Sequence, residues 1–388
     1  MIEYFVIILN NWFVLSILEL KINYQNLMQV LKTITDPTFN PNQTYSKLDQ
    51  FFLKLINDKR DLPFVYLTIK IMFLMIPVGL CMYIPQLPTW AFAILALAYL
   101  YMNNFVFKGP FGLMLHCTSH RTLYKKNVGY LNHVLPWYVG LFFGQTPLTY
   151  YSHHIWMHHP ENNLEDDESS TMGYQRDSFS DFMRYFVDFL FVGMMRLVGY
   201  FKRKNRPQLI QKCLTGEIFF FALCIGLSFV DFWATFNVFI LPFLISRFIM
   251  MLGNWTQHAF VSAEDPGNPF QNSITCVNVK YNHKCWNDGY HISHHLKPGM
   301  HWTEHPKEFL KDLDRYAEDE AIVFQGIGFL EVFVFLMNKR YDKLASYAVN
   351  INNYWKSDED FIALMKRRTQ KIQRNGVQTR NLVLLDEF

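Results

Sequence analysis

The residues in this chain whose types and spacing could do chemistry are histidines. Of its fourteen, nine fall into four clusters: His116-x3-His120, His154-x3-His158-His159, Asn254-x3-His258 and His291-x2-His294-His295. An i,i+4 pair sets two imidazoles on one helix face about 5–6 Å apart, close enough to hold one ion. A histidine directly after such a pair, as His159 follows His158, points about a quarter turn away and reaches a second ion. One match of this kind arises by chance. Four of them, each beside a long apolar run, predict a metal site at a membrane surface. Imidazole suits zinc, copper, iron and nickel, so the count does not name the metal. Nine imidazoles without a cysteine are too many for one tetrahedral zinc. They suit two ions with four or five nitrogens each and open positions left over. Asn254 is a poor direct ligand beside imidazole and is expected to act through a water.

The elements that position these clusters are apolar. Residues 64–84, 90–107, 217–233 and 236–252 are each near the length of about 20 residues that a bilayer core requires, and helices are the only spans that satisfy their own backbone in lipid. The short uncharged turn at 85–89 and the turn near Asp231 join them into two hairpins. Lys108, Arg121, Lys125, Lys126, Arg196, Lys202, Arg203, Lys204 and Arg206 lie between the hairpins, and the C-terminal region is also basic. The positive-inside rule then puts these regions and residues 23–60 on the cytosolic side, or the matrix side in a mitochondrion. All four clusters fall on that side. The predicted fold is an all-α integral membrane protein, with four transmembrane helices under a helical cap that carries a di-metal site. Pro110 is expected to bend or restart the helix before His116. Residues 4–18 read first as an interfacial helix and second as a fifth span. Residues 134–151 read as re-entrant or surface-lying, and 182–201 as an interface helix.

Composition narrows the class. Half the chain is apolar (51%) with a net charge of only +3, which excludes a disordered or fibrous chain. No basic block interleaved with aromatics suggests nucleic acid. Six cysteines without a C-x-x-C read as reduced thiols, with Cys81 and Cys224 buried in apolar runs. The start, Met1-Ile2-Glu3, lacks a basic region and no arginine precedes Arg60, so internal segments are expected to direct insertion. Three regions follow: an N-terminal interfacial segment at 1–60, a core domain at 61–310 and a polar helical tail at 311–388. A transporter is disfavoured because the histidines lie outside the spans.

With the boxes His116-Cys-Thr-Ser-His120, His154-Ile-Trp-Met-His158-His159, Asn254-Trp-Thr-Gln-His258 and Asn287-Asp-Gly-Tyr-His291-Ile-Ser-His294-His295, the chain resembles the membrane fatty acid desaturases over roughly residues 60–310. The resemblance implies a di-iron centre that uses O2 and two electrons to remove hydrogens from an unactivated acyl chain. Its iron ligands would be His116, His120, His154, His158, His159, His258, His291, His294 and His295. Relatives with a fused cytochrome b5 domain carry His-Pro-Gly-Gly. Here His159-Pro160 continues with Glu161 and His305-Pro306 with Lys307, so electrons are expected from a separate carrier of cytochrome b5 or ferredoxin type. The expected product is a double bond. A hydroxylase or epoxygenase on the same scaffold is the alternative within enzymes. Outside them stands a catalytically silent structural subunit of a membrane complex, with partners there. The endoplasmic reticulum is the first expected location and the inner mitochondrial membrane the second.

Each ligand should be oriented through its second nitrogen. Glu161, Asp167, Asp288 and Glu304 are the acids nearest the boxes, although the run Glu165-Asp166-Asp167-Glu168 reads most simply as a solvated loop. His153 is expected off the ligand face. His301-x3-His305 reads as an outer layer or surface, and His133 and His283 as structural.

Overall fold

The computed structural model describes residues 34–372; the apolar stretch 4–18 lies outside them. Among the described residues, four helices are long and apolar enough to cross a membrane: Lys59–Cys81, Thr89–His120, Pro207–Ser228 and Phe232–Gln257. The second and fourth run past their expected ends. Box one therefore rides on the last turns of a span, and His258 directly follows another. Large apolar side chains stand out from these helices; Phe73 is 72%, Phe105 78% and Ile218 66% exposed. Water would not tolerate that surface, whereas hydrocarbon is its expected surrounding. This is a membrane protein.

Prolines impose a recurrent distortion on the helices. Ile76 donates its N–H to Ile71, His159 to His154 and Leu241 to Phe236. Each bond reaches one residue further back than α geometry, and each donor directly precedes a proline (Pro77, Pro160, Pro242). Proline has no N–H and its ring crowds the carbonyl four residues back; a turn widened to i→i+5 accommodates it. A similar wide stretch at Met102–Phe107 precedes Pro110. The helix thus passes Pro110 without stopping, and His116 stays on the same rod.

Segment 135–148 is wedged among the spans. The Tyr99 hydroxyl donates to the carbonyls of Phe142 and Val238, and Asn103 donates to Phe142. Gly216 lets the third span touch this segment: a Cβ there would lie 1.7 Å from the Pro147 carbonyl oxygen. Helix Phe179–Arg203 buries Phe182, Tyr185, Leu197 and Tyr200 along one face and leaves Val187, Phe191 and Met195 exposed on another. That is the pattern of a helix lying in a membrane interface.

The fold departs from all-α. Ile274–Val277 (β1) and Ile322–Gln325 (β2) pair in parallel, with Ile274 opposite Ile322 and Cys276 opposite Phe324. Both runs are short and buried, too brief for a period to distinguish strand from helix. β1 in turn holds the loop before box three, since Cys276 N–H donates to Gly289 O at 2.7 Å. Gly289 permits that approach, because a Cβ would sit 2.4 Å from Cys276 O.

The helix Asp358–Arg368 buries Phe361, Leu364 and Met365 against the strand pair. A buried arginine secures it. The Arg176 guanidinium donates to the carbonyls of Arg368 (2.9 Å), Gln370 (2.6 Å), Met172 (3.1 Å) and Ala259 (3.2 Å). Ala259 is the residue after His258.

Candidate metal centre

The four boxes converge although they come from distant parts of the chain. His116 and His120 project from the second span, and His154, His158 and His159 from the helix that follows the wedge. His258 closes the fourth span, and His291, His294 and His295 lie on helix His291–Leu296. Their ring nitrogens form two groups. One contains His116, His120, His154, His159 and His294; the other contains His158, His258, His291 and His295. Within the first, Nε2 atoms lie 2.9 Å apart for His116–His294, 3.1 Å for His120–His154 and 3.0 Å for His154–His159. Within the second, His258–His291 is 3.3 Å and His291–His295 is 3.0 Å.

These separations match the edges of a metal polyhedron. With metal–imidazole bonds of about 2.1 Å, neighbouring ligands lie about 3.0 Å apart at right angles and about 3.4 Å apart in a tetrahedron. Lone pairs facing one another this closely repel unless a proton or a cation lies between them, and His154 Nε2 faces two partners at once. Burial, and then repulsion among the rings, holds His154, His159, His291, His294 and His295 well below their ordinary value. Burial followed by His158 takes His258 down to about 4. Neutral imidazoles are what a metal ligand requires. The residues fit two ions, with nitrogen donors only.

The second nitrogens are anchored unevenly. His158 Nδ1 donates to Asp167 at 2.7 Å, and His258 Nδ1 to the Asn272 carbonyl at 2.9 Å. Both bonds fix the tautomer that leaves Nε2 free. His116 Nδ1 sits 3.7 Å from Asp288, whose other oxygen accepts from Tyr281 at 2.7 Å. His291 Nδ1 is buried without a partner.

Asp167 corrects an expectation. It is fully enclosed, not part of a solvated loop, because it turns inward while Arg203 and Lys204 draw Glu168 and Asp166 outward. Burial alone would raise its carboxyl, but His158 and the Ser169 hydroxyl outweigh that and bring it to about 2. Of the other acids, Glu161 is held by Tyr200 and Lys204, and Glu304 by Arg60. Neither bonds a box histidine. The Asn254 amide donates to Ser169 O (3.0 Å) and Tyr185 Oη (2.7 Å).

The helical geometry of box two also differs from expectation. The i,i+4 pair His154 and His158 does not share an ion site. His154 and His159 do, and His158 crosses to the other group. The widened turn before Pro160 is the reason, because it aligns residues five apart.

The remaining histidines sort by burial. His153 joins neither group; its ring packs on Phe189. His301 and His305 are buried, with His301 Nε2 2.9 Å from Asp61 and His305 Nδ1 2.7 Å from the Ser293 hydroxyl. His133 and His283 are exposed. Asn272, Ser273 and Tyr185, which brace the second group from afar, carry no signal in the sequence. Beside the first group lies a narrow crevice of about 30 Å³. Its walls include Phe64, Leu113, Trp286, Met300 and Trp302, together with His116, His120 and His294. All six cysteines are free thiols.

Two clustered imidazole groups on a scaffold of four apolar helices define a membrane protein with a candidate two-metal site. Compared with known families, residues 88–326 match the fatty acid desaturase family. The chain belongs to that family. No curated protein and no solved structure matches it.

Proposed function

We propose that the chain is a membrane-bound acyl desaturase with a di-iron centre. His116, His120, His154, His159 and His294 would hold one iron, and His158, His258, His291 and His295 the other. When bound, the irons would use O2, two electrons and two protons to take two hydrogens from an acyl chain, leaving a double bond and two waters. The protein's own contribution is positional. Asp167 and the Asn272 carbonyl fix the tautomers of His158 and His258, and Asn254 is suited to a water-mediated place at the four-nitrogen group. The crevice beside His116 and His294, with Phe64, Leu113, Trp286, Met300 and Trp302 in its walls, would have to widen to admit an acyl chain. A chain admitted there would lie beside one group and not the other.

The observation that carries this reading is the convergence of nine imidazoles into two groups, with Nε2 atoms of eight of them at 2.9–3.3 Å from a neighbour. Charge distribution supports a topology of two hairpins with the boxes toward the cytosol or matrix. A separate carrier of cytochrome b5 or ferredoxin type would deliver the electrons. The endoplasmic reticulum is the first membrane to search and the mitochondrial inner membrane the second. Residues 61–310 would form the desaturase core, flanked by the segments 1–60 and 311–388.

The test is metal content and product together, on protein extracted gently from its own membrane. Two irons per chain and a new double bond in the host lipids are expected. Retained oxygen in the product would make the enzyme a hydroxylase. A folded, metal-free chain would refute the catalytic reading.

A further inference from the structure

Box three has its histidines at positions 1, 4 and 5, whereas box two has them at 1, 5 and 6. The two boxes nevertheless distribute their rings by the same rule. In box three the outer pair, His291 and His295, shares one group and His294 crosses to the other. In box two the outer pair, His154 and His159, shares a group and His158 crosses. The outer Nε2–Nε2 separation is 3.0 Å in both. Box three achieves this in an ordinary helical turn, where residues four apart lie on one face. Box two carries one residue more. In an undistorted helix its outer histidines would face about 140° apart.

We propose that Pro160 is a positioning residue that decides which histidines share an ion. His159 donates its N–H to His154 O, so the widened turn is closed by the two residues whose rings must meet. Pro160 has no N–H to offer Trp156 O in the α register, and its ring crowds that carbonyl. The same solution recurs before Pro77 and Pro242, where no histidine is involved. The turn that Gly140 N–H closes onto Leu135 O has no proline after it, so a following proline accompanies this bond in three of four cases among the described residues. The extra residue of box two is absorbed in this turn, and the five-nitrogen group is completed by it.

The proposal rests on the two-iron reading, and its test separates the two. Wild type, Pro160→Ala and Pro160→Ala with Ile155 deleted are loaded anaerobically with ferrous iron. Iron per chain is then counted after chelator competition. In Pro160→Ala the restored N–H favours the α register. Asp167 anchors His158, so the misfit falls on the His154–His159 pair. One iron should stay and the other bind at least about tenfold more weakly, the scale seen when the shell around a ligand is disturbed. Deleting Ile155 recreates the spacing of box three and should restore the second iron. Pro77→Ala, in a span without histidines, should keep both.

Pro160→Ala binding two irons as tightly as wild type would overturn the proposal. So would joint loss of both irons that the deletion does not repair. A wild-type chain without iron would overturn the two-metal reading before any substitution is made.

Discussion

Replacing Asp167 with asparagine tests how the second ion site is built. The carboxylate accepts four hydrogen bonds. Oδ2 takes His158 Nδ1 (2.7 Å) and Asn163 N (3.0 Å), and Oδ1 takes Ser169 N (2.7 Å) and Ser169 Oγ (2.6 Å). A carboxamide has one accepting oxygen and two donors. Whichever way it turns, its NH2 group faces a backbone N–H, that of Asn163 or that of Ser169. Each buried donor left without a partner costs about 1–3 kcal/mol. The carboxyl sits at about 2 in place of its ordinary 3.8, a bias toward the charged form of about 2 kcal/mol at about 1.4 kcal/mol per tenfold. Loss of a ligand's orienting partner typically weakens metal binding 10–100-fold, about 1.4–2.8 kcal/mol. Asp167→Asn should therefore release the iron of the four-nitrogen group at chelator concentrations about 10–100 times lower than wild type needs. Chelator competition followed by mass spectrometry measures this. If both irons stay within about twofold of wild-type affinity, the Asp167–His158 bond does not hold the ligand and the reasoning fails.

Asp288→Asn should act more weakly, below about tenfold, because Asp288 stands 3.7 Å from His116 Nδ1; a larger effect would mean that this contact tightens around the metal. Glu161→Gln should leave iron content unchanged, since Glu161 serves Tyr200 and Lys204; loss of iron would contradict that assignment. Gly216→Ala should abolish stable folding, judged by gel filtration, whereas Gly226→Ala on the same helix meets open space and should behave as wild type. Equal behaviour of the two would show that the contact with Pro147 is not tight. The box histidines predict a sign for pH. Burial holds His154, His159, His291, His294 and His295 well below the ordinary 6.5, and His258 at about 4. The unfolded chain therefore takes up protons that the folded chain refuses. Stability is full above about pH 6.5 and falls as pH drops below it, by up to about 1.4 kcal/mol per histidine per pH unit. Thermal melting of metal-free protein should drop between about pH 7.5 and 5.5; a flat profile would show that the rings are not buried neutral.

Much of the centre was legible because its signals are local. The i,i+4 spacing of His116 and His120, and of His291 and His295, needs nothing from the rest of the chain. The spans were legible because length and apolarity suffice. What escaped is set by distant contacts or by small departures from ideal geometry. Asn272 braces His258 from fourteen residues away, and Tyr185 reaches Asn254 across sixty-nine. Asp167 could not be told from Asp166 because a loop has no fixed period. The strands β1 and β2 are four residues each and stabilise one another only across the fold. The exchange of His158 for His159 follows from a single backbone bond, and its one visible trace is the proline that follows.

The Arg176 clamp has a consequence for the order of assembly. The backbone beside His258 is tied, through one guanidinium, to the carbonyls of residues 368 and 370. All nine imidazoles precede that tie in the chain by more than seventy residues. As the protein is synthesised, the ligands are made first and the latch last. Until the helix Asp358–Arg368 docks, the Arg176 guanidinium beside His258 lacks its partners at residues 368 and 370. A metal held there would be enclosed only once that helix has docked.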